Sequence, residues 1–361
     1  MRFGHFETLR PLCPVCREQR CVDRPLQSAS AAATRGDRLI QGSLICPGDD
    51  CRAEYPVIDG VPLLLANLRS FVTDNAILLT ARDDLTETVE GMIGDALGPG
   101  SAMDVQRLHL SSYAWDHYAE FDPAETVSDI RPGAVLRCLE AGLGLLGRMP
   151  EGPVLDLGCA VGRASFELAQ RTAGLVLGLD VHVPMLRLAQ RVLEDGEVSY
   201  PRRRVGLVYD RRTFQARLPS GDRVDFWLAD ALQAPFADGS FGLVTALNLL
   251  DCVPSPHGLL MTIARLLKAG GGTVLATPFD WSARTTPVEA WIGGHSQRGE
   301  GGGAAEPLLT ALLTPGAHPM SVPGLTLRGE VESVPWAVRL HDRGAVHYRS
   351  YVLAAEREDR R

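Results

Sequence analysis

No apolar run in this chain approaches the roughly 20 residues a bilayer-spanning helix needs. Val61-Pro-Leu-Leu-Leu65 is far too short. The first residues, Met1-Arg-Phe-Gly-His-Phe-Glu7, carry no leader-like apolar stretch, so cytoplasm is the expected location and no membrane partner is expected. No internal repeat is present. The nine histidines are dispersed without H-E-x-x-H spacing, and no Ser-His-Asp pattern stands out. Metallohydrolase and serine-hydrolase chemistry are thereby set aside. Positive charge is in deficit, with 36 Lys and Arg against 44 Asp and Glu and a net charge of -8. Such a balance does not favour nucleic acid, though a local basic patch would override it.

What the chain does have is length and apolar content. Its 361 residues leave room for two domains, and 45% hydrophobic residues suffice for a sizeable core. Its eight cysteines are expected to be reduced in the cytoplasm unless they bind metal.

The most informative stretch is Val154-Leu-Asp-Leu-Gly-Cys-Ala-Val-Gly-Arg-Ala-Ser-Phe-Glu-Leu-Ala169. An apolar run leads into Asp156, a small-residue turn spans Gly158-Cys159-Ala160-Val161-Gly162, and an amphipathic helix pattern follows. This predicts a buried parallel strand, a tight turn and a helix N-terminus. Small residues there let backbone N–H groups approach a ligand closely. About twenty residues on, the next strand, Leu175 to Asp180, ends in an acid at the offset where such folds hold a ribose. A third strand, Val224 to Asp230, also ends in an acid and is followed by Ala231. A fourth, Phe241 to Leu247, runs into Asn248-Leu-Leu-Asp251, and a fifth is Thr273 to Thr277.

The D-x-G-x-G-x-G-like turn, with Ala160 at the middle glycine, resembles motif I of class I S-adenosylmethionine (SAM) methyltransferases. A dehydrogenase would more often keep glycine at 160. The resemblance implies an α/β fold: a seven-stranded class I, Rossmann-like sheet, here with a small N-terminal zinc-ribbon domain. It implies SAM as cofactor, bound by Asp156, Gly158, Cys159, Ala160, Gly162, Asp180, Val181, Asp230, Ala231 and Asn248. Asp180 would take the ribose hydroxyls and Asp230 the adenine amino group. Alternatively, any of these acids merely caps a helix.

Near the start, Cys13-Pro-Val-Cys16 and Cys46-Pro-Gly-Asp-Asp-Cys51 form C-x2-C and C-x4-C knuckles. Four thiolates presented in pairs suit a closed structural zinc site. With the following Tyr55-Pro-Val-Ile-Asp-Gly-Val-Pro62, residues 9 to 66 resemble the zinc-ribbon protein that activates tRNA, rRNA and protein methyltransferases. Two extra residues in the second knuckle depart from that pattern. Cys138, Cys159 and Cys252 read as packing residues.

The expected organisation is a ribbon at 1–66, a helical linker and cap at 67–130, and a methyltransferase domain at 131–361. Within the cap, Tyr113, His117 and Tyr118 read either as substrate contacts or as an aromatic face packed on the sheet. Ala134 to Leu146 reads as the helix before the first strand, and Leu325–Val331 and Val346–Val352 as a terminal strand pair. An insertion at about 195–223 carries Arg202, Arg203 and Arg204, either a phosphate- or carboxylate-binding loop or a solvated hairpin.

The Asn248–Asp251 tip, Thr277-Pro-Phe-Asp-Trp281, Thr286-Pro-Val-Glu-Ala-Trp-Ile-Gly-Gly294 and Val334-Pro-Trp-Ala-Val-Arg339 narrow the resemblance. Over about 150 to 355 they are similar to the mercaptohistidine N-methyltransferase module of ovothiol-synthesis enzymes. Cys252 stands where that module carries arginine, and a ribbon stands in place of its sulfoxide synthase domain. The resemblance implies Asn248 and Asp251 as catalytic candidates. Asn248 would position cofactor or substrate, and Asp251 would hold a substrate N–H or accept a proton. The 278–294 loop, with Trp281 and Trp291, is expected to wall an acceptor pocket. Three functions stay open: a methyltransferase acting on a small molecule such as an imidazole or other nitrogen heterocycle, one acting on RNA or protein, and a SAM-binding regulatory subunit without turnover.

Overall fold

The structure is a computed structural model describing residues 1–68, 70–71, 98–126, 129–219 and 221–358. Much of the expected linker and cap therefore lies outside the described residues, at 69, 72–97 and 127–128.

Two short helices open the chain, α1 (Phe3–Leu9) and α2 (Pro14–Arg20). Pro14 suits the first turn of α2 because its missing N–H would be unpaired there anyway. Four strands follow, β1 (Gln27–Arg35), β2 (Arg38–Ile45), β3 (Glu54–Ile58) and β4 (Val61–Leu64), each antiparallel to the next. Helix α3 (Ala102–Tyr118) starts at Ser101, whose hydroxyl accepts the Asp104 N–H at 3.2 Å. Helix α4 occupies the predicted span, Ala134–Leu146.

The predicted alternation of strands and helices then unfolds in order. Strand β5 (Val154–Leu157) leads to α5 (Arg163–Arg171), and β6 (Val176–Asp180) to α6 (Val183–Asp195). The insertion is a hairpin of β7 (Glu197–Val205) and β8 (Val208–Gln215). After it come β9 (Val224–Ala229), β10 (Phe241–Leu247), α7 (Pro256–Leu266) and β11 (Leu267–Thr277). Helix α8 (Ala305–Leu312) precedes two long strands, β12 (Leu325–His341) and β13 (Gly344–Arg357). Both outrun their expected lengths.

The strand order β9-β6-β5-β10-β11-β13-β12 is the seven-stranded class I sheet, with β13 antiparallel to both neighbours. The sheet does not stop there. Strand β4 pairs in parallel with β9, Leu63 opposite Leu228 and Leu64 opposite Ala229, so the four N-terminal strands extend it to eleven. Alternation along β5 sorts the core. Val154 packs into a layer with Leu139, Phe166 and Leu186, while Leu155 and Leu157 join α7 residues Leu259, Leu260 and Ile263. This second layer also takes in Leu9, Cys13, Cys16 and Tyr55, so the N-terminal unit and the sheet share one hydrophobic interior.

The junction holds a buried acid. Asp225 accepts the Trp227 indole N–H at 3.0 Å and the Arg2 amide, with the Arg38 guanidinium 3.7 Å away. Burial alone would raise its pKa, but the Met1 ammonium, His5 and Arg38 hold it down to about 2. Among the described residues, no helix is long and apolar enough to cross a membrane.

Candidate functional site

The predicted glycine turn is built as expected. Gly158 (φ 68°), Ala160 (φ 49°) and Gly162 (φ 89°) adopt left-handed backbone. A Cβ on Gly162 would lie 2.5 Å from the Phe226 ring, so close packing as well as φ demands glycine there. Asp156 is buried beneath the turn. Its two oxygens accept the Ser165 hydroxyl at 2.7 Å and the Thr245 hydroxyl at 2.8 Å, tying α5 and β10 to β5. Burial, with Asp180 nearby, pushes its pKa up to about 6. At the tip of β6, Asp180 accepts the Ala160 amide at 2.9 Å and the His182 amide at 2.8 Å. Asp230 ends β9 and accepts the Leu232 N–H at 2.9 Å.

A cavity of about 330 Å³ opens above this turn. It brings together Asp156, Gly158, Cys159, Ala160, Asn248 and Asp251 from the predicted set. Gly162, Asp180, Val181, Asp230 and Ala231 lie outside its lining, at the neighbouring strand tips. Val181 is exposed there. What these positions share is small residues with left-handed backbone and two acids at adjacent strand ends, the arrangement at which open α/β sheets leave room for a ligand.

The opposite walls come from elements the sequence left undecided. Tyr113 and His117 of α3 line the cavity with Leu108, His109 and Ser112. Tyr118 does not; its hydroxyl donates to the Val161 carbonyl at 2.6 Å inside the core. The His117 Nδ1 accepts the Arg163 N–H at 3.3 Å, which leaves Nε2 to carry the proton. Burial, then the Arg163 charge, lowers its pKa to about 3, so the ring is neutral at physiological pH. The far wall is Trp336, Val338 and Leu340 of β12 with Tyr348 of β13. The sequence placed a strand pair here but gave no sign that its long hairpin would reach the cavity.

Two expectations need correction. Neither Trp281 nor Trp291 lines the cavity; the two rings stack at 5.9 Å and Trp281 packs into the second core layer, while the neighbouring Asp280 and Pro278 line the site. Cys252 is not a packing residue. Its side chain is accessible from the cavity it lines, 3.9 Å from an Asp251 oxygen, and burial beside Asp251 pushes its thiol up to about 12. A polar loop following a strand tip decides such orientations, and periodicity does not report them.

At the tip of β10, Asn248 is held in left-handed backbone (φ 53°), and its side-chain oxygen accepts the Ser350 hydroxyl at 3.3 Å. Asp251 is only 3% exposed. One of its oxygens accepts the Asp280 N–H at 2.7 Å, and burial raises its pKa. The basic insertion behaves differently. Arg202 turns inward to Glu125 and Asp342, and Arg212 reaches Asp122. Together these pairs brace the hairpin against the cap and the β12–β13 turn. Arg204 is exposed, and none of the three arginines lines the cavity.

The four N-terminal knuckle cysteines converge. Their sulfurs all lie within 4.8 Å of one another, with Cys13 to Cys51 at 3.8 Å and Cys16 to Cys46 at 3.6 Å. Disulfide sulfurs sit at about 2.05 Å, whereas ligands about 2.3 Å from a tetrahedral zinc are about 3.8 Å apart. The Cys16 N–H donates to the Cys13 sulfur, and the Tyr55 hydroxyl lies 3.2 Å from it. The geometry fits a metal site, and the two extra residues of the second knuckle do not disturb it.

Residues 155–275 match the family described as "Methyltransferase domain". Methyltransferase GfsG of Streptomyces halstedii is 32% identical over 34% of this chain and 36% of its own length. Ubiquinone biosynthesis O-methyltransferase of Pseudomonas aeruginosa is 30% identical over 45% of this chain and 56% of its own. The chain thus spans about half or less of the curated relatives it matches. A structure of phosphoethanolamine N-methyltransferase 2 from Haemonchus contortus aligns with a TM-score of 0.30 and 24% identity, covering 39% of this chain and 28% of that one. The family match lies on the strand–turn–helix that builds the site, so residues 155–275 are similar to a methyltransferase domain set in a sheet of class I strand order.

Proposed function

We propose that this protein transfers a methyl group from SAM to a small-molecule acceptor held in the cavity, with an imidazole or other nitrogen heterocycle as the favoured class. One observation carries the reading. The cavity is lined by aromatic and apolar side chains and by Asp116, Asp156, Asp251 and Asp280, with no Lys or Arg among the described lining residues. Such a space suits a compact, neutral or cationic molecule and gives a phosphate backbone nothing to pair with. The inward ion pairs of Arg202 likewise leave the basic insertion as a brace rather than a docking surface.

SAM supplies a methyl group on a positively charged sulfur, and displacement at that carbon needs mainly alignment. The Gly158–Gly162 turn, Asp180 and Asp230 would hold the cofactor, and Asn248 would set the direction of approach. Asp251 and the loop it anchors would orient the acceptor, and a cavity carboxylate would receive a proton where one must leave. The two ribbon knuckles would hold one structural zinc through Cys13, Cys16, Cys46 and Cys51.

The test is mass spectrometry of a cell extract incubated with the protein and methyl-labelled SAM. Label in a small-molecule fraction is expected. Label confined to RNA or protein would overturn the reading, and bound SAM with no transferred label would favour a regulatory subunit.

A further inference from the structure

Two carboxylates, Asp251 and Asp280, line the cavity beyond the ends of β10 and β11, and their surroundings differ. Asp251 is almost fully buried, one oxygen takes the Asp280 amide, and its own carbonyl accepts the Thr286 hydroxyl at 3.3 Å. It is anchored into the loop that follows β11. Asp280 is exposed to the cavity, and its Oδ2 accepts the Tyr348 hydroxyl at 2.7 Å. Among the described residues, no cation pairs with Asp280 and its Oδ1 has no hydrogen-bond donor. The loop is bent to place it there. Phe279, immediately before it, adopts left-handed backbone (φ 54°), and its N–H is held by the Thr277 hydroxyl at 3.1 Å. Strained backbone at a non-glycine residue persists where surrounding contacts fix it. Tyr348 sits opposite Trp336 across the β12–β13 pairing, and both line the cavity.

Building on the methyl-transfer reading above, we propose that Asp280, oriented by Tyr348, is the group that takes the acceptor's N–H, and that Asp251 is a positioning residue acting through the Asp280 backbone. The acceptor class this selects is a small amine or nitrogen heterocycle presenting an N–H beside the aromatic wall. In the transfer, an acceptor nitrogen lone pair forms the new N–C bond. The C–S bond breaks with its electron pair staying on sulfur as a neutral thioether. The N–H proton passes to the Asp280 carboxylate and on to solvent.

The experiment compares full-length wild type with Asp280→Asn, Tyr348→Phe and Asp251→Asn. It reads SAM affinity by calorimetry, methyl-labelled product from a cell extract, and the pH profile of labelling. Asp280→Asn should cut labelling at least about tenfold while SAM affinity stays within about twofold, because proton acceptance in the transition state is lost. It should also flatten the acidic limb of the profile. Asp280→Glu should restore part of the activity. Tyr348→Phe should lower labelling less, and Asp251→Asn should lower it without moving the limb. The mild Tyr348→Phe change keeps the comparison valid if another variant folds poorly. A product methylated on oxygen or carbon, or labelling indifferent to Asp280→Asn, overturns the inference. Label found only in macromolecules, or none at all, overturns the small-molecule reading on which it rests.

Discussion

Leu63 of β4 lies opposite Leu228 of β9 in parallel register, one residue before the pair of Leu64 with Ala229. That pairing joins the cysteine-bearing unit to the strand whose tip carries Asp230. Structural zinc in such units contributes folding free energy directly. Purified protein is therefore expected to contain close to one zinc per chain by metal analysis. Cys46→Ser should lower the Tm of the whole protein, because its strands and core continue into the catalytic sheet, and should weaken SAM binding as the β9 tip loosens. Metal content below a tenth of one equivalent, in protein purified without chelator, would reject the site.

Asp180→Ala should weaken SAM binding by at least about tenfold, since charge-assisted hydrogen bonds to a ribose are lost. The Ala160 and His182 amides also lose their acceptor, which loosens the turn itself. Calorimetry reads the effect, and wild-type affinity in the variant would remove Asp180 from the cofactor site.

Arg202→Met and Arg204→Ala should part company. Arg202 is paired to Glu125 at 3.0 Å and to Asp342, so its loss should cost on the order of 2 kcal/mol of stability in urea denaturation. Arg204 is exposed and outside the cavity lining, so its replacement should leave labelling unchanged. A collapse of activity in Arg204→Ala, with fold intact, would revive a macromolecular acceptor docked on the hairpin.

His117 gives a pH signature. Its folded pKa of about 3 lies below the ordinary 6.5, so between those values the unfolded chain binds the proton and the folded one does not. Stability from this group is fully present above pH 6.5 and is lost as pH falls, by on the order of 2 kcal/mol at pH 5. Asp116 and Asp156, both pushed up to about 6, act in the opposite direction over part of this window, so a difference measurement isolates the histidine. The gap in urea midpoint between wild type and His117→Gln should shift in favour of the variant from pH 7 to pH 5. A gap constant with pH would show that His117 is not buried neutral.

The sequence by itself determined the strand–turn–helix of the site. Val154, Leu155 and Leu157 are apolar because both faces of a central parallel strand are covered, and Gly162 is small because Phe226 and Ala189 leave no room for a side chain. These are local demands, and they appear in local residue patterns. The bounds of α4 were legible for the same reason, and the two cysteine knuckles were legible through the metal-ligand spacing each carries. Tertiary structure alone decided the cavity wall. Trp336 and Tyr348 reach it because β12 and β13 are long enough to fold over the strand tips, and Asp280 enters it while Trp281 turns away onto Trp291. It also decided that β4 extends the sheet and that Arg202 pairs inward with Glu125 and Asp342. Several of these depend on partners far apart in sequence being brought together, as Asp251 and Asp280 are across 29 positions and Ser112 and Arg339 across 227. No periodicity within a single segment encodes which of its side chains will face such a partner.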